Sequence, residues 1–157
     1  MTRVLDVGCG DGSVGVWICE QLAEHGHQVE YVGVDLDENM AQAAAGRLQD
    51  TGTQGYTQAG DAHTAPPGPY DAILCFELLE HVPDPQVLLD ALEQRLAPAG
   101  VIYLSTPNGT FGTGNNPHHL RVYDLEGLLD LLRRRGLLVD GVAGNDGVAC
   151  AAYRPKP

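Results

Sequence analysis

The chain has 157 residues, of which 43% are hydrophobic and 19% are charged, and its formal net charge at pH 7 is −12. This composition is typical of a globular protein, and the length predicts one domain, residues 1–157, that buries roughly two-thirds of its unfolded surface. The negative charge disfavours binding to nucleic acids and to anionic membranes, because both present phosphate groups.

The four cysteines are scattered along the chain and form no CxxC pair. Three of them lie in apolar runs, so we expect reduced core thiols, which are typical of a cytoplasmic protein. The first predicted strand begins within three residues of the start, and no apolar run approaches the length of a membrane span. The sequence therefore predicts no signal peptide, no membrane segment and a cytoplasmic location.

The segment V-L-D-V-G-C-G-D-G at 4–12 predicts a buried strand, a glycine-rich turn and, near Ser13, the start of a helix. Such a turn presents free backbone amides beside a helix N-terminus, which suits a polar, nucleotide-like ligand. The carboxylates of Asp6 and Asp11 would repel a pyrophosphate and favour a ligand that offers hydroxyl and ammonium groups. We expect Ser13 to cap the helix, and its buried face to consist of Val14, Trp17, Ile18 and Leu22.

A dinucleotide-binding turn is the main alternative for this segment. Gly10, Gly12 and Gly15 match its glycine spacing, and Asp35 lies 20 residues after Gly15. That fingerprint expects the strand to run directly into its first glycine, whereas the strand here ends at Gly8. The match is two residues out of register, which disfavours a nicotinamide or flavin cofactor.

Further strands and helices follow in alternation. Strands are predicted at 29–34, 55–59, 70–76 and 101–105, and helices begin near residues 37, 85 and 124. The third crossover, which contains T-A-P-P-G-P at 64–69, is predicted to be a loop because it is rich in proline. The segments 137–142 and 148–153 flank a Gly-Asn-Asp-Gly turn and predict an antiparallel hairpin. This order indicates an α/β fold.

Two of these helices carry specific expectations. The helix from residue 85 is predicted to bury one apolar face made of Val87, Leu88, Ala91, Leu92 and Leu96. The last helix ends in three arginines at 133–135, and we expect them to complement the helix dipole rather than to form an anion site.

The glycine segment resembles the first motif of the class I S-adenosylmethionine (SAM) methyltransferases. The resemblance implies a Rossmann-like, seven-stranded, mostly parallel sheet with a C-terminal antiparallel hairpin. It also implies a set of residues that hold SAM. The methionine end would contact Asp6, Gly8, Gly10 and Gly12; the ribose would contact Asp35 and Leu36; the adenine would contact Asp61 and Ala62. Asp35 could instead cap the next helix, and Asp61 could instead be a turn residue.

A second motif, E-L-L-E-H-V-P-D-P at 77–85, follows the fourth strand. Glu77, Glu80 and His81 are spaced i, i+3, i+4, so a single helical turn would place them on one face. Strand carboxyl ends are where open α/β sheets bind ligands, and the long loop at 107–119, with its two histidines, leaves the neighbouring strand at the same edge. We therefore expect Glu77, Glu80, His81 and His119 to converge.

This second motif resembles that of the O-methyltransferases of ubiquinone biosynthesis. It also resembles the RNA 3′-terminal ribose methyltransferases, which add an S-T-P-N segment, here at 105–108, and a later histidine. In those RNA enzymes two glutamates and two histidines bind a divalent metal ion, which implies Glu77, Glu80, His81 and His119 as ligands here. Alternatively, Glu77 helps to seat SAM, and His81 or His119 is a metal-free general base.

The sequence thus predicts a SAM-dependent methyltransferase that O-methylates a phenolic or sugar-like hydroxyl of a small molecule. The alternatives are a metal-dependent RNA 3′-terminal ribose 2′-O-methyltransferase and a non-catalytic, SAM-binding partner subunit. Family members usually carry an N-terminal helical cover, whereas the first strand here begins at Arg3. We therefore expect the site to be open to a large substrate, closed by the 107–119 loop or completed by another subunit, and we expect the chain to form a homodimer or to bind a partner subunit.

Overall fold

A seven-stranded sheet forms the centre of the computed structural model, which describes residues 1–109 and 116–155. The strand order is β3-β2-β1-β4-β5-β7-β6. In chain order the strands are β1 (Thr2–Val7), β2 (Val29–Asp35), β3 (Gly55–Ala59), β4 (Tyr70–Phe76), β5 (Leu96–Pro107), β6 (Leu138–Ala143) and β7 (Gly147–Tyr153). Strands β1 to β5 pair in parallel, and β7 runs antiparallel to both β5 and β6. The predicted α/β fold with a terminal hairpin is confirmed.

Within the described residues, four helices cover the sheet, and an aspartate caps three of them. They are α1 (Ser13–Glu24), α2 (Glu38–Thr51), α3 (Pro85–Arg95) and α4 (Leu125–Arg133). The side chains of Asp37, Asp84 and Asp124 accept hydrogen bonds from backbone amides in the first turns of α2, α3 and α4. These caps satisfy donors that a helix leaves unpaired and fix where each helix begins. As predicted, β3 connects to β4 through a loop rather than a helix.

The two faces of the sheet bury different cores. The smaller core lies under α1 and α2 and includes Val4, Tyr31 and Leu74. The larger core lies under α3 and α4 and includes Ile73 and Leu104. The side chains of β4 alternate between the two faces of the sheet, so Ile73 belongs to the larger core and Leu74 to the smaller one. All four cysteines are free and buried, as expected for core thiols.

Helix α1 differs from its prediction at both its cap and its buried face. Gly12, with φ of 76°, occupies the N-cap position, and Ser13 is the first helical residue rather than the cap. The buried residues are Gly15, Val16 and Cys19, whereas Val14 and Trp17 are 53% and 57% exposed. The reason is the orientation of α1 about its own axis, which turns Gly15 toward the sheet, where it lies against Asp6 of β1 and the ring of Tyr31 of β2. Ile18 and Leu22 are only partly buried at its edge.

Other boundaries also shift. α3 ends at Arg95 and β5 begins at Leu96, five residues before its predicted start, because Leu96 already pairs with Tyr70. Val87, which was predicted to be in the core, is exposed on α3. The middle of the predicted 107–119 loop, residues 110–115, lies outside the described residues. Among the described residues, no helix has both the length and the apolar composition that crossing a membrane requires.

Candidate functional site

A cavity of about 410 Å³ opens at the carboxyl ends of β1, β2 and β4. Its walls come from the ends of these strands, the turn after β3, the segment after β4 and the first turn of α3. Val7, Gly8 and Asp35 line it from the strand ends, and Leu78, Val82 and Val87 form an apolar side. This is the edge at which open α/β sheets bind ligands.

The glycine turn after β1 has a backbone that requires glycine. Gly8, Gly10 and Gly12 have φ of 73°, 53° and 76°, in the left-handed region that other residues rarely adopt. A Cβ on Gly12 would lie 2.9 Å from the Cβ of Ala44, so a side chain there would push α2 away. A Cβ on Gly10 would meet nothing within 4 Å, so the turn is open at that point.

Asp35 ties this turn to the end of β2. Its Oδ2 accepts a hydrogen bond from the Gly10 amide at 2.8 Å, and its Oδ1 accepts one from the Asp37 amide at 2.9 Å. Asp37, not Asp35, caps α2, so the capping alternative for Asp35 is wrong. Asp35 and the exposed Leu36 both line the cavity.

Asp61 both lines the cavity and holds a turn. Its Oδ1 accepts hydrogen bonds from the backbone amides of His63 and Thr64, both at 2.9 Å. These bonds, led by the one from Thr64, keep the pKa of the Asp61 carboxyl below its usual value. Ala62 lines the same end of the cavity. Carboxylates at Asp35 and Asp61 with an apolar side between them fit a nucleoside that carries hydroxyl and amino groups.

Asp6 lies beneath the turn and does not line the cavity. It is only 4% exposed, and the Tyr31 hydroxyl donates a hydrogen bond to its Oδ2 at 2.8 Å. A Cβ on Gly15 would lie 2.1 Å from that oxygen, so α1 rests directly on the carboxyl. Burial raises the pKa of Asp6 to about 7. The structure thus places Asp6 as a support for the turn.

The second predicted group of residues only partly converges. Glu77 has φ of 50°, which breaks the single helical turn that the spacing predicted. Its Oε1 accepts a hydrogen bond from the Ser105 hydroxyl at 2.7 Å. Glu80, His81 and His119 do come together, with one potential ligand atom from each lying within 4.8 Å of the others. Glu77 is not part of this group, which we call the Glu80 cluster.

The loop that carries His119 is fastened to the segment after β4. The Leu120 amide donates to the carbonyl of Glu80 at 2.8 Å, and Arg121 donates to the carbonyls of Val82 and Pro83. These bonds bring the rings of His81 and His119 to a centroid distance of 4.9 Å at an angle of 74°. The segment after β4 therefore has two sides, because Leu78 and Val82 line the cavity while Glu80 and His81 belong to the cluster.

The Glu80 cluster contains buried polar atoms that lack partners. Glu80 is 1% exposed, and neither of its carboxylate oxygens has a hydrogen-bond partner among the described residues. The same holds for Thr106 Oγ1, Tyr123 Oη and His119 Nδ1. Burial raises the pKa of Glu80, and burial together with the nearby Glu80 charge raises that of Tyr123. Leaving such groups unpaired costs about 1–3 kcal/mol each, which is typical of functional sites.

The hydrogen bonds of His81 define its tautomer. Its Nδ1 lies 3.0 Å from the backbone carbonyl oxygen of His118, and a carbonyl can only accept. Nδ1 therefore carries the proton, and Nε2 carries the free lone pair, 3.7 Å from Glu80 Oε1. His118 contributes its carbonyl, and its own side chain is not part of the cluster. A neutral imidazole with an open Nε2 can accept a proton.

Several of these residues were not predicted from the sequence. No sequence motif marked Tyr31, Asn116 or Tyr123. The S-T-P-N segment was noted as a whole, without a role for Ser105 or Thr106. The acidic partner of Tyr31 lies 25 residues away, and Thr106 lies on β5, far along the chain from Glu80. Only the position of S-T-P-N at the end of a predicted strand could have indicated that it faces the site.

Comparison with known proteins shows the family and the fold of the chain. A family model described as a methyltransferase domain matches residues 2–140. A ubiquinone biosynthesis O-methyltransferase of Azoarcus sp. (strain BH72) is 36% identical over 135 residues, which cover 84% of this chain and 54% of that protein. Another from Idiomarina loihiensis is 39% identical over 109 residues, covering 68% and 42%. The chain thus spans about half the length of the curated relatives it matches.

A solved structure shares the fold. A SAM-dependent methyltransferase from Aquifex aeolicus superposes with a TM-score of 0.78 at 18% sequence identity, covering 96% of this chain and 81% of that one. At this level of identity the likeness concerns the fold alone. It agrees with the seven-stranded sheet described above.

Proposed function

Because the chain belongs to the class I SAM-dependent methyltransferases, we propose that it transfers the methyl group of SAM to a hydroxyl of a small molecule, phenolic or sugar-like. The ubiquinone O-methyltransferase relatives support a hydroxyl acceptor. The observation that carries the proposal is the open Nε2 of His81, which lies beside a buried carboxyl at the same sheet edge as the cavity.

The residues around the cavity suit the parts of SAM. The amides of the turn at Gly8, Gly10 and Gly12 would hold the methionine end, with Asp6 supporting the turn from below. Asp35 and Leu36 would hold the ribose, and Asp61 and Ala62 the adenine. Glu77, the residue that directly follows β4, would help to bind the cofactor. The sulfonium of SAM supplies an already activated methyl group, so the protein mainly aligns the reacting groups and excludes water.

His81 is the residue we propose as general base. Its Nε2 would take the proton of the acceptor hydroxyl, while its Nδ1–H stays bound to the carbonyl of His118. Glu80, which is nearly fully buried, lies beside this ring, with its Oε1 3.7 Å from Nε2. We choose His81 over His119 because His81 keeps a free lone pair on Nε2, whereas the Nε2 of His119 lies 2.9 Å from the side-chain nitrogen of Asn116.

The four predicted ligands suit a divalent metal ion less well than His81 suits the role of a metal-free general base. Glu77 lies outside the Glu80 cluster and accepts from Ser105, and the ring of His119 is hydrogen-bonded to Asn116. We therefore propose metal-free catalysis. An RNA ribose methyltransferase is the second candidate, supported by the closeness of Glu80, His81 and His119 and disfavoured by the net charge of −12.

Self-association as a homodimer is part of the proposal. Two adjoining apolar grooves share Phe76 and Tyr103 and run across the sheet from Leu22 of α1 to Val142 of β6. Exposed aromatic and aliphatic side chains with few charges are typical of interface centres, and a stable interface buries about 800 Å² per partner. Light scattering that gives a particle of 16.7 kDa at micromolar concentration would contradict the dimer.

The test of the function combines binding with turnover. Calorimetry should show that SAM or its demethylated product binds and that NAD does not, and labelled SAM should methylate one member of a panel of phenols and sugar alcohols. His81→Gln should lower turnover by 10²-fold or more, the usual scale for a lost general base, and leave the SAM dissociation constant within a factor of about two. His25→Gln, on an exposed histidine at the end of α1, is the matched control.

Each of the other candidates predicts a different result in this test. Salt-dependent binding to a short RNA with methylation of its 3′ end would favour the RNA enzyme. SAM binding without turnover on any acceptor would favour the non-catalytic subunit. Tighter binding of NAD than of SAM would overturn the assignment of the cavity.

A further inference from the structure

Asn116 makes two hydrogen bonds with the histidines that follow it. Its Oδ1 is 3.0 Å from the backbone nitrogen of His118, and its Nδ2 is 2.9 Å from the Nε2 of His119. The His119 amide also donates to the Asn116 carbonyl at 3.1 Å, which closes the turn around the two side chains. The asparagine is thus held at both ends of its amide group.

These two contacts determine which way the amide points. A backbone N–H can only donate, so the atom facing His118 must be the carbonyl oxygen. The opposite end is then the NH₂ group, which can also only donate, and His119 Nε2 must accept from it. A neutral imidazole carries one proton, and that proton is therefore on Nδ1 of His119.

We infer that Asn116 is a positioning residue that holds His119 as a hydrogen-bond donor, so that neither of its ring nitrogens offers a free lone pair. Nε2 accepts from Asn116, and Nδ1, which is buried and without a partner among the described residues, carries the proton. The inference rests on the proposed function in one respect, which is that it leaves His81 as the proton acceptor of the Glu80 cluster.

The arrangement has a direct consequence for cations. A metal ion bonds to an imidazole nitrogen through its lone pair, so His119 cannot be a ligand while Asn116 donates to it. Glu80 and His81 Nε2 would remain, and two ligands hold a divalent ion weakly. Glu80, His81 and His119 are residue types that bind metal ions. The bond from Asn116 therefore favours proton transfer over metal binding in this cluster.

The substitution Asn116→Asp tests this directly. A carboxylate can still accept from the His118 amide with one oxygen, but its other oxygen must also accept, so His119 is forced to carry its proton on Nε2. Two-bond ¹H–¹⁵N correlation spectra of the histidine-labelled chain report the tautomer, and His119→Gln identifies the signal. We expect the Nδ1–H form in the unmodified chain and the Nε2–H form in the variant.

A second readout is the affinity for Zn²⁺ or Mn²⁺ alone, measured by calorimetry. Asn116→Asp should tighten it by at least tenfold, because His119 Nδ1 becomes available beside Glu80 and His81. Asn145→Asp adds the same charge in the exposed β6–β7 turn and should leave the metal affinity unchanged.

An Nε2–H signal for His119 in the unmodified chain would overturn the inference, as would an unchanged tautomer in Asn116→Asp. Unchanged metal affinity in a variant whose tautomer has reversed would overturn its consequence for cations. The spectra need no turnover, so the expected tautomers in a chain that methylates nothing would refute only the proposed function. Conversely, turnover that depends on His81 together with the wrong tautomer would refute only the role of Asn116.

Discussion

Tyr31 reaches from β2 to β1 and donates its hydroxyl hydrogen bond to the buried carboxyl of Asp6 at 2.8 Å. Its ring occupies space that two glycines leave open, since a Cβ on Gly15 or Gly33 would lie 2.7 or 2.9 Å from ring carbons. The pair therefore joins the end of β1, the middle of β2 and the first turn of α1 at the base of the glycine turn.

Tyr31→Phe should destabilise the fold by about 1–3 kcal/mol, because it leaves Oδ2 of a buried carboxyl without its donor while keeping the ring. SAM binding should weaken as well, since the turn rests on this pair. Urea denaturation and calorimetry measure the two effects. Tyr56→Phe, at an exposed tyrosine of β3, is the control and should change neither. Equal stability of the two variants would show that the hydroxyl of Tyr31 is dispensable.

Asp6 should make stability depend on pH in an unusual direction. Burial, opposed by the Tyr31 hydrogen bond and assisted by the charge of Asp35, raises its pKa from 3.8 to about 7. A raised pKa means that the folded state holds a proton that the unfolded chain releases near pH 4. The contribution of Asp6 to the free energy of unfolding is therefore fully present below about pH 4 and is lost as the pH rises to about 7.

Denaturation at several pH values between 4 and 8 measures this effect, as the difference between the unmodified chain and Asp6→Asn. The amide does not titrate, so its curve lacks the decline, which is worth on the order of 1.4 kcal/mol for each unit of pKa shift. Parallel curves for the two proteins would mean that Asp6 is ionised throughout this range.

Asp35→Ala should weaken SAM binding by about 1–3 kcal/mol, because it removes both the proposed partner of the ribose and the acceptor that holds the Gly10 amide. Asp37→Ala is a matched control two residues away. It removes the cap of α2 and should lower stability by about 1 kcal/mol without changing the affinity once the protein is folded. An affinity that falls equally in both variants would assign the effect of Asp35 to the stability of α2.

Arg135 should matter more than its two neighbours. The sequence predicted that residues 133–135 complement the dipole of α4, but Arg135 is mostly buried and pairs with Asp90 and Glu93 of α3. It also donates to Gln86 at 2.6 Å. Arg135→Ala should lower the free energy of unfolding by about 1–3 kcal/mol. Arg134→Ala, at an exposed position without such contacts, should be nearly neutral, and equal losses would contradict this assignment.

Most of the sheet could be predicted from the sequence because its signals are local. The strand from Tyr70 to Phe76 is a continuous apolar run, and Gly55 to Ala59 has turn residues on both sides. Helix α1 shows the limit of such signals. Its apolar residues form two stripes, and only the position of α2 and Tyr31 decides that Gly15, Val16 and Cys19 face the core.

The site was predictable in its location but not in its chemistry. The sequence predicted that Glu77, Glu80, His81 and His119 would meet, and the last three of these do. The left-handed backbone of Glu77 could not be foreseen, because it depends on the hydrogen bond from its amide to the Ser105 carbonyl. The tautomer of His81 depends on the backbone carbonyl of His118, which is 37 residues away in the sequence. The tautomer of His119 depends on the side-chain amide of Asn116, which belongs to no motif.

The segment after β4 carries two sets of side chains, with Leu78 and Val82 lining the cavity and Glu80 and His81 belonging to the Glu80 cluster. Because the segment is so short, a substitution that moves one set of side chains also displaces the other set. Under the proposed function, affinity for the methyl donor and choice of the methyl acceptor therefore cannot be tuned separately. An engineer who seeks a new acceptor would do better to begin with His119 itself, whose ring meets His81 in the Glu80 cluster and is not among the described residues that line the cavity.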